Sequence, residues 1–183
     1  SSGKMGCELA LNFANKGAKV FLILGPSYEN PVHENIKIIR VESAEEMYNE
    51  ALSVFENSNI VIAAAAVADY KPENKLLHKY KKESGTPKIA FKKTKDILAD
   101  MGAAKKDQLL VGFALETNNE IGNAKSKLLE KNLDLIVLNS LNDEGAGFET
   151  NTNKVTILSK DNKMLRFELK SKHDVANDIA NLI

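Results

Sequence analysis

The chain has 183 residues, 43% of them hydrophobic, enough to bury one core of ordinary size, so a single domain is expected. Its 25 basic and 25 acidic side chains cancel, which argues against bulk binding to nucleic acid or an anionic membrane and leaves any phosphate-handling lysines to act locally. One cysteine (Cys7) and three scattered histidines (His33, His78, His173) suggest no disulfide framework, His-based triad or Cys/His-rich metal site, and no apolar run approaches the ~20 residues of a membrane span.

In chain order, SSGKMG (residues 1–6) leads into an amphipathic helix with Met5, Leu9, Ala10, Phe13 and Ala14 on one face. The serines can cap this helix, and Gly3 and Gly6 let backbone amides approach an anion. A Gly-x-x-Gly pair alone is equally compatible with a plain capped helix start. Gly17 closes the helix, and residues 20–24 read as a buried strand ending at Gly25-Pro26, followed by an alternating strand over 36–41. Ser43 and Glu46 form a capping box ahead of a helix burying Met47, Ala51, Val54 and Phe55.

The stretch from 60 to 82 is the one most suggestive of chemistry. Ile60-Val61-Ile62 reads as a buried parallel strand running into four alanines and then Asp69. Alanines at the carboxyl end of such a strand leave room for a ligand against bare backbone, and ligands of open α/β sheets bind there. Lys71, Lys75, Lys79, Lys81 and Lys82 follow on a loop, either a basic flap over a nucleotide or simply a solvated charged segment.

Residues 88–91 suggest a short strand, and Thr94 is the expected cap of a helix over 95–104. Residues 109–115 form a buried strand in which Phe113 is either core or ligand contact. In the helix over 119–131, Lys127 and Lys131 share a face. They are two snorkelling surface lysines, or a pair whose mutual repulsion a polyphosphate would relieve. A strand over 133–138, a loop at 145–148, a hairpin of strands 154–159 and 164–169, and a helix burying Val175, Ile179 and Leu182 complete the chain. The predicted fold is α/β: a Rossmann-like, doubly wound, mostly parallel sheet with a C-terminal β-hairpin.

Four segments in this order, SSGKMG, AAVADY (65–70), KYKK (79–82) and VGFALET (111–117), resemble the phosphopantothenoylcysteine synthetase family. The likeness extends through KLLEKNLDLIVLN (127–139) and GFETNTNKV (147–155), essentially the whole chain. In bacteria this domain is commonly the carboxyl-terminal part of a bifunctional flavoprotein of coenzyme A biosynthesis, with FMN belonging to a fused decarboxylase domain. The resemblance implies a cytoplasmic, homodimeric ligase that joins 4'-phosphopantothenate to L-cysteine, using CTP and Mg2+ through an acyl-cytidylate. The hairpin is the candidate dimer interface.

Carried onto this sequence, the resemblance places Ala63, Ala64, Ala65 and Asp69 on CTP, with Lys79 closing over the intermediate as the catalytic residue. Lys95, Asp96, Ile97 and Leu98 would offer helix-start contacts, Phe113, Lys127 and Lys131 would complete the nucleotide pocket, and Ala65 and Ala66 would border the phosphopantothenate. Two departures stand out: Thr94-Lys95-Asp96 replaces the family's Asn-Pro-Asp, and the family's asparagine two residues before the serine pair falls outside this sequence. The fold's first strand is likewise expected upstream of Ser1, so residues 1–183 alone are expected to be inactive.

Two other readings remain open. A dinucleotide-binding oxidoreductase would use Glu42 on the ribose, and a non-catalytic interaction domain would use the basic loop to hold a partner.

Overall fold

The computed structural model describes residues 2–74, 88–140 and 150–183. Helix α1 (Lys4–Asn15) leads to β1 (Val20–Leu24) and β2 (Ile36–Arg40), and α2 (Ala44–Phe55) to β3 (Ile60–Ala63). A ribbon of β4 (Tyr70–Pro72) and β5 (Phe91–Lys93) precedes α3 (Ile97–Ala104), β6 (Leu109–Glu116), α4 (Glu120–Glu130) and β7 (Leu135–Ser140). The chain continues through β8 (Thr152–Asn153), β9 (Val155–Ser159), β10 (Met164–Arg166) and β11 (Lys170–Ser171) to α5 (Lys172–Leu182).

The main sheet has the order β10-β9-β7-β6-β3, with β3, β6 and β7 parallel and the β9–β10 hairpin antiparallel at one edge. Strands β1 and β2 pair in parallel as a separate two-stranded unit. The doubly wound α/β expectation and the C-terminal hairpin therefore hold.

Side chains alternate across the central strands, which splits the core into two layers. Leu110, Ile136 and Leu138 face the cluster holding Phe55, Met101, Ala124 and Leu128. Val111 and Val137 face the opposite cluster with Leu9, Val175 and Ile179. Two small residues permit the close packing of α3. A Cβ at Gly112 would lie 2.9 Å from Leu98 Cδ2, and one at Gly102 only 2.0 Å from the Lys131 carbonyl oxygen.

Local caps explain where the elements begin. Ser43 caps α2 by accepting from the Glu46 N–H at 3.2 Å, and Glu46 returns a bond to the Glu42 N–H at 2.9 Å. Elsewhere the caps differ from the sequence expectation. Gly3, at φ 84°, is the N-cap of α1 without a side-chain cap bond, while Ser2 just before it takes up the helix's first amide, its Oγ accepting from the Lys4 N–H at 3.4 Å. Asp96, not Thr94, caps α3 and shortens that helix to Ile97–Ala104. Leu182 is 41% exposed rather than inward, because α5 is ending there while Val175 and Ile179 reach the core.

Candidate active site

One cavity of about 770 Å³ runs along β1 and β3 between α1 and α2 and opens past the carboxyl end of β3 toward Phe113 of β6 and the start of α3. Ala63, Ala64, Ala65, Asp69, Lys95, Asp96, Ile97, Leu98, Phe113 and Lys131 all line it, so these expected nucleotide contacts converge from five segments of the chain. A second cavity of about 340 Å³ adjoins it and is bordered by Gly3, Gly6, Ser27, Ser43, Ala65 and Ala66. Ala64 and Ala65 wall both spaces, and Ala66 only the second.

The alanine run leaves β3 as irregular backbone and is tied at its far end. Thr94 Oγ1 donates to the Ala68 carbonyl at 2.7 Å, and the Thr94 N–H donates to the Asp69 carbonyl at 2.9 Å. The threonine that was expected to cap a helix instead fastens the two ends of the β4–β5 excursion. Tyr70↔Lys93 pairing continues directly from that fastening.

Asp96 organises the opposite wall. One carboxylate oxygen accepts from the Ala99 N–H at 3.0 Å, and the other lies 2.8 Å from Lys131 Nζ. Burial alone would raise its pKa, but the bonds from Lys131 and Ala99 outweigh that and hold it below the usual carboxylate value. Lys131 reaches Asp96 because it ends α4, against the bare Cα of Gly102. An ammonium beside a helix N-terminus is a reasonable seat for an anion once the pair opens.

Lys127 does not join Lys131. Its Nζ is 2.5 Å from Glu116 Oε1, and Asn123 donates to the other oxygen of the same carboxylate at 3.0 Å. The expected convergence of the two lysines is therefore absent, because Glu116 at the end of β6 captures Lys127. Partial burial works to raise the Glu116 pKa, and its bonds to Lys127 and Asn123 more than reverse this, lowering it overall. The apolar stripe of the helix gave no hint of Glu116 or Asn123, since both belong to the strand end and the polar face.

Lys95 lines the cavity while its ammonium lies 4.3 Å from the centre of the Tyr48 ring. Lys71 pairs with Glu45 of the same helix at 2.6 Å. Helix α2 thus anchors both ends of the ribbon, a role for Glu45 and Tyr48 that no sequence pattern signalled. Lys79 and the other flap lysines 75, 81 and 82 lie outside the described residues.

The site offers no thiol nucleophile, since burial, ahead of nearby carboxylates, pushes Cys7 up to about 11. Among the described residues no group of three or more His, Cys, Asp or Glu side chains could hold a metal ion. The acids lining the larger cavity are Asp69 and Asp96, and Asp96 is already committed to Lys131. That donor set fits Mg2+ carried mainly by substrate phosphates with one protein carboxylate, the usual arrangement for this ion.

Comparison with known proteins identifies the relatives. A curated cysteine/cysteine sulfinic acid decarboxylase from an unknown prokaryotic organism is 50% identical over 184 residues, covering 100% of this chain and 51% of that protein. The coenzyme A biosynthesis bifunctional protein CoaBC of Bacillus subtilis (strain 168) is 45% identical over 179 residues, 98% of this chain and 44% of the relative. The chain thus spans about half the length of these curated relatives. The crystal structure of the C-terminal domain of a coenzyme A biosynthesis bifunctional protein CoaBC superposes with a TM-score of 0.83 at 36% identity, covering 100% of this chain and 81% of that one. The family profile of the DNA/pantothenate metabolism flavoprotein C-terminal domain matches residues 1–183, and the chain belongs to that family.

Proposed function

We propose that this domain catalyses the ligation of 4'-phosphopantothenate to L-cysteine in coenzyme A biosynthesis, driven by CTP. The observation carrying this reading is the meeting of the Ala63–Ala65 backbone, Asp69 and the Asp96–Lys131 pair around one cavity at the carboxyl edge of the sheet. Membership of the family and the likeness to CoaBC support a role in coenzyme A biosynthesis.

The pantothenate carboxylate attacks the α-phosphate of CTP, forming the acyl-cytidylate and releasing pyrophosphate. The cysteine amine then attacks the acyl carbon, expelling CMP and leaving the amide. Such a sequence needs orientation and charge neutralisation rather than a protein nucleophile. The alanines admit the nucleotide against backbone, Phe113 walls the pocket, and Lys131 meets phosphate by leaving Asp96. Lys127 contributes only after Glu116 yields it. Lys79 has the catalytic role at the mixed anhydride, where its charge offsets that of the phosphate. Mg2+, held through the triphosphate, would supply charge neutralisation, with Asp69 as the protein donor.

The second cavity, bordered by Ala65 and Ala66, receives the phosphopantothenate. We further assign a cytoplasmic homodimer. Exposed Met164, Leu165 and Leu169 on and after the hairpin support an interface there, and solution scattering of the intact protein as a monomer would remove that assignment. Among the described residues no helix is long and apolar enough to cross a membrane. FMN belongs with a fused decarboxylase and takes no part in this chemistry.

The test uses the intact protein that carries this domain. Pyrophosphate release should require both CTP and 4'-phosphopantothenate, and Lys131→Ala should lower kcat/KM for CTP by roughly 100-fold, the scale of one lost charge-stabilising contact. Lys79→Ala should abolish ligation while leaving the fold intact. Because Glu42 borders the second cavity, NAD(P)H binding without CTP binding would transfer the domain to the oxidoreductase reading. Ligation indifferent to Lys79→Ala would favour the non-catalytic one.

A further inference from the structure

Residues 94, 95 and 96 are consecutive, and each is fastened to a different part of the molecule. Thr94 bonds to the Ala68 and Asp69 carbonyls at the end of the alanine run. Asp96 caps α3 and pairs with Lys131 at the end of α4. Between them Lys95 reaches across to α2, its ammonium 4.3 Å from the centre of the Tyr48 ring. Thr94, Lys95 and Asp96 all line the larger cavity, as do Met47 and Ala51 of α2, whereas Tyr48 lines neither cavity. Tyr48 can therefore act on the site only through what it holds.

The hold has a physical basis. A cation within about 6 Å of a ring centroid is drawn to the ring face, and the exposed Lys95 meets that condition. An unheld surface lysine spreads over many rotamers, which a ligand must order before it can use the charge. The ring occupies only one side of the ammonium, so N–H donors remain for an anion. Tyr48 is itself fixed: bonding to Asp100, ahead of burial, raises its phenol pKa, and Asp100 belongs to the first turn of α3. Three residues earlier, on the same face of α2, Glu45 pairs with Lys71 at 2.6 Å, and its carboxylate also feels the charge of Lys95. Ring and carboxylate thus draw Lys95 toward one face of one helix.

We propose that Tyr48 is a positioning residue for nucleotide binding, fixing the Lys95 ammonium beside the cavity so that an incoming polyphosphate meets a cation already ordered. The role rests on the ligase reading of the cavity and adds to it a residue outside the cavity wall. Lys95 stands where the family pattern has Pro, and a proline offers the ring no cation, so the pair is a device of this chain. An ordered charge acts alike on the bound nucleotide and on the transition state, so its loss shows in KM and leaves kcat in place.

The test is steady-state kinetics on the intact protein that carries this domain, read by pyrophosphate release. Tyr48→Leu removes the ring and should raise KM for CTP roughly fivefold, the scale of one exposed cation–π contact. KM for 4'-phosphopantothenate and kcat should stay within about twofold of the parent. Tyr48→Phe keeps the ring and should hold KM for CTP within about twofold as well. In a Lys95→Met background Tyr48→Leu should add nothing, because the two residues act as one unit. An unchanged KM for CTP in Tyr48→Leu overturns the proposal, as does an equal rise in both KM values or a full further loss on top of Lys95→Met. Should Tyr48→Leu fail to fold, Tyr48→Gln takes its place under the same criteria. A parent protein without CTP-dependent pyrophosphate release overturns the ligase reading and this role with it, whereas an active parent indifferent to Tyr48→Leu removes the role alone.

Discussion

Strands β1 and β6 are comparably apolar, VFLIL against LLVGFALE, but they fare very differently. In β6, Leu110 and Val111 are 0% exposed, whereas in β1 Phe21 is 46% exposed and only Leu24 is buried. The difference lies in their neighbours. β6 has a strand on each side and helices above and below, while β1 has one strand and an open edge. Burial here is decided by pairing on both edges more than by residue type, and the reactive mouth belongs to the half where pairing is incomplete.

The sharpest way to break this contrast is at Gly102, where a Cβ would meet the Lys131 backbone at 2.0 Å. Gly102→Val should cost more than about 4 kcal/mol by urea denaturation and should separate Lys131 from Asp96. Next in size, Ile136→Ala in the paired half should cost about 2–5 kcal/mol, whereas Phe21→Ala in residues 1–183 should cost less than about 1 kcal/mol. Equal costs for the two positions in the short chain would erase the distinction between the halves. Ser43→Ala, which removes the α2 cap, should cost about 1 kcal/mol.

The smallest effect is electrostatic. Asp96 and Glu116 both have lowered folded pKa values, so each stabilises the fold above its ordinary pKa, 3.8 and 4.5 respectively. That contribution is lost as pH falls through the lowered folded values. Acid titration of Asp96→Asn should therefore show a shallower loss of stability below about pH 4 than the parent.

Most elements were legible because their periodicity was clean: β1, β2, β3, β6, β9 and the helices α1, α2, α4 and α5 lie where apolar spacing puts them, while α3 starts two residues later than expected and β10 stops at Arg166. The β4–β5 ribbon was legible only in part: the strand expected over 88–91 falls at Phe91–Lys93, and β4, three residues with Pro72 and a lysine, carries no strand pattern. The Thr94–Asp96 exchange of roles was not legible, because either residue caps a helix equally well in sequence and tertiary contact with Ala68 decided between them. At the cavity, the alanines and Asp69 were readable from their place at the end of a strand, whereas Lys131 entered only through the family resemblance, its spacing being equally that of a surface lysine. Glu116 holding Lys127 was not, because an ion pair between residues eleven apart leaves no periodic trace. The buried Lys172, 5% exposed and donating to the Thr150 carbonyl at 2.6 Å, was invisible for the same reason.

The two bonds from Thr94 to residues 68 and 69 pinch the chain at the base of everything between them. Just past that pinch the Lys71–Glu45 pair ties β4 to α2 as well, so the base of the ribbon is held from two sides. Because closure entropy grows only logarithmically with length, segments can be inserted or trimmed past Tyr70 and Lys93 at small thermodynamic cost while the alanine wall keeps its shape.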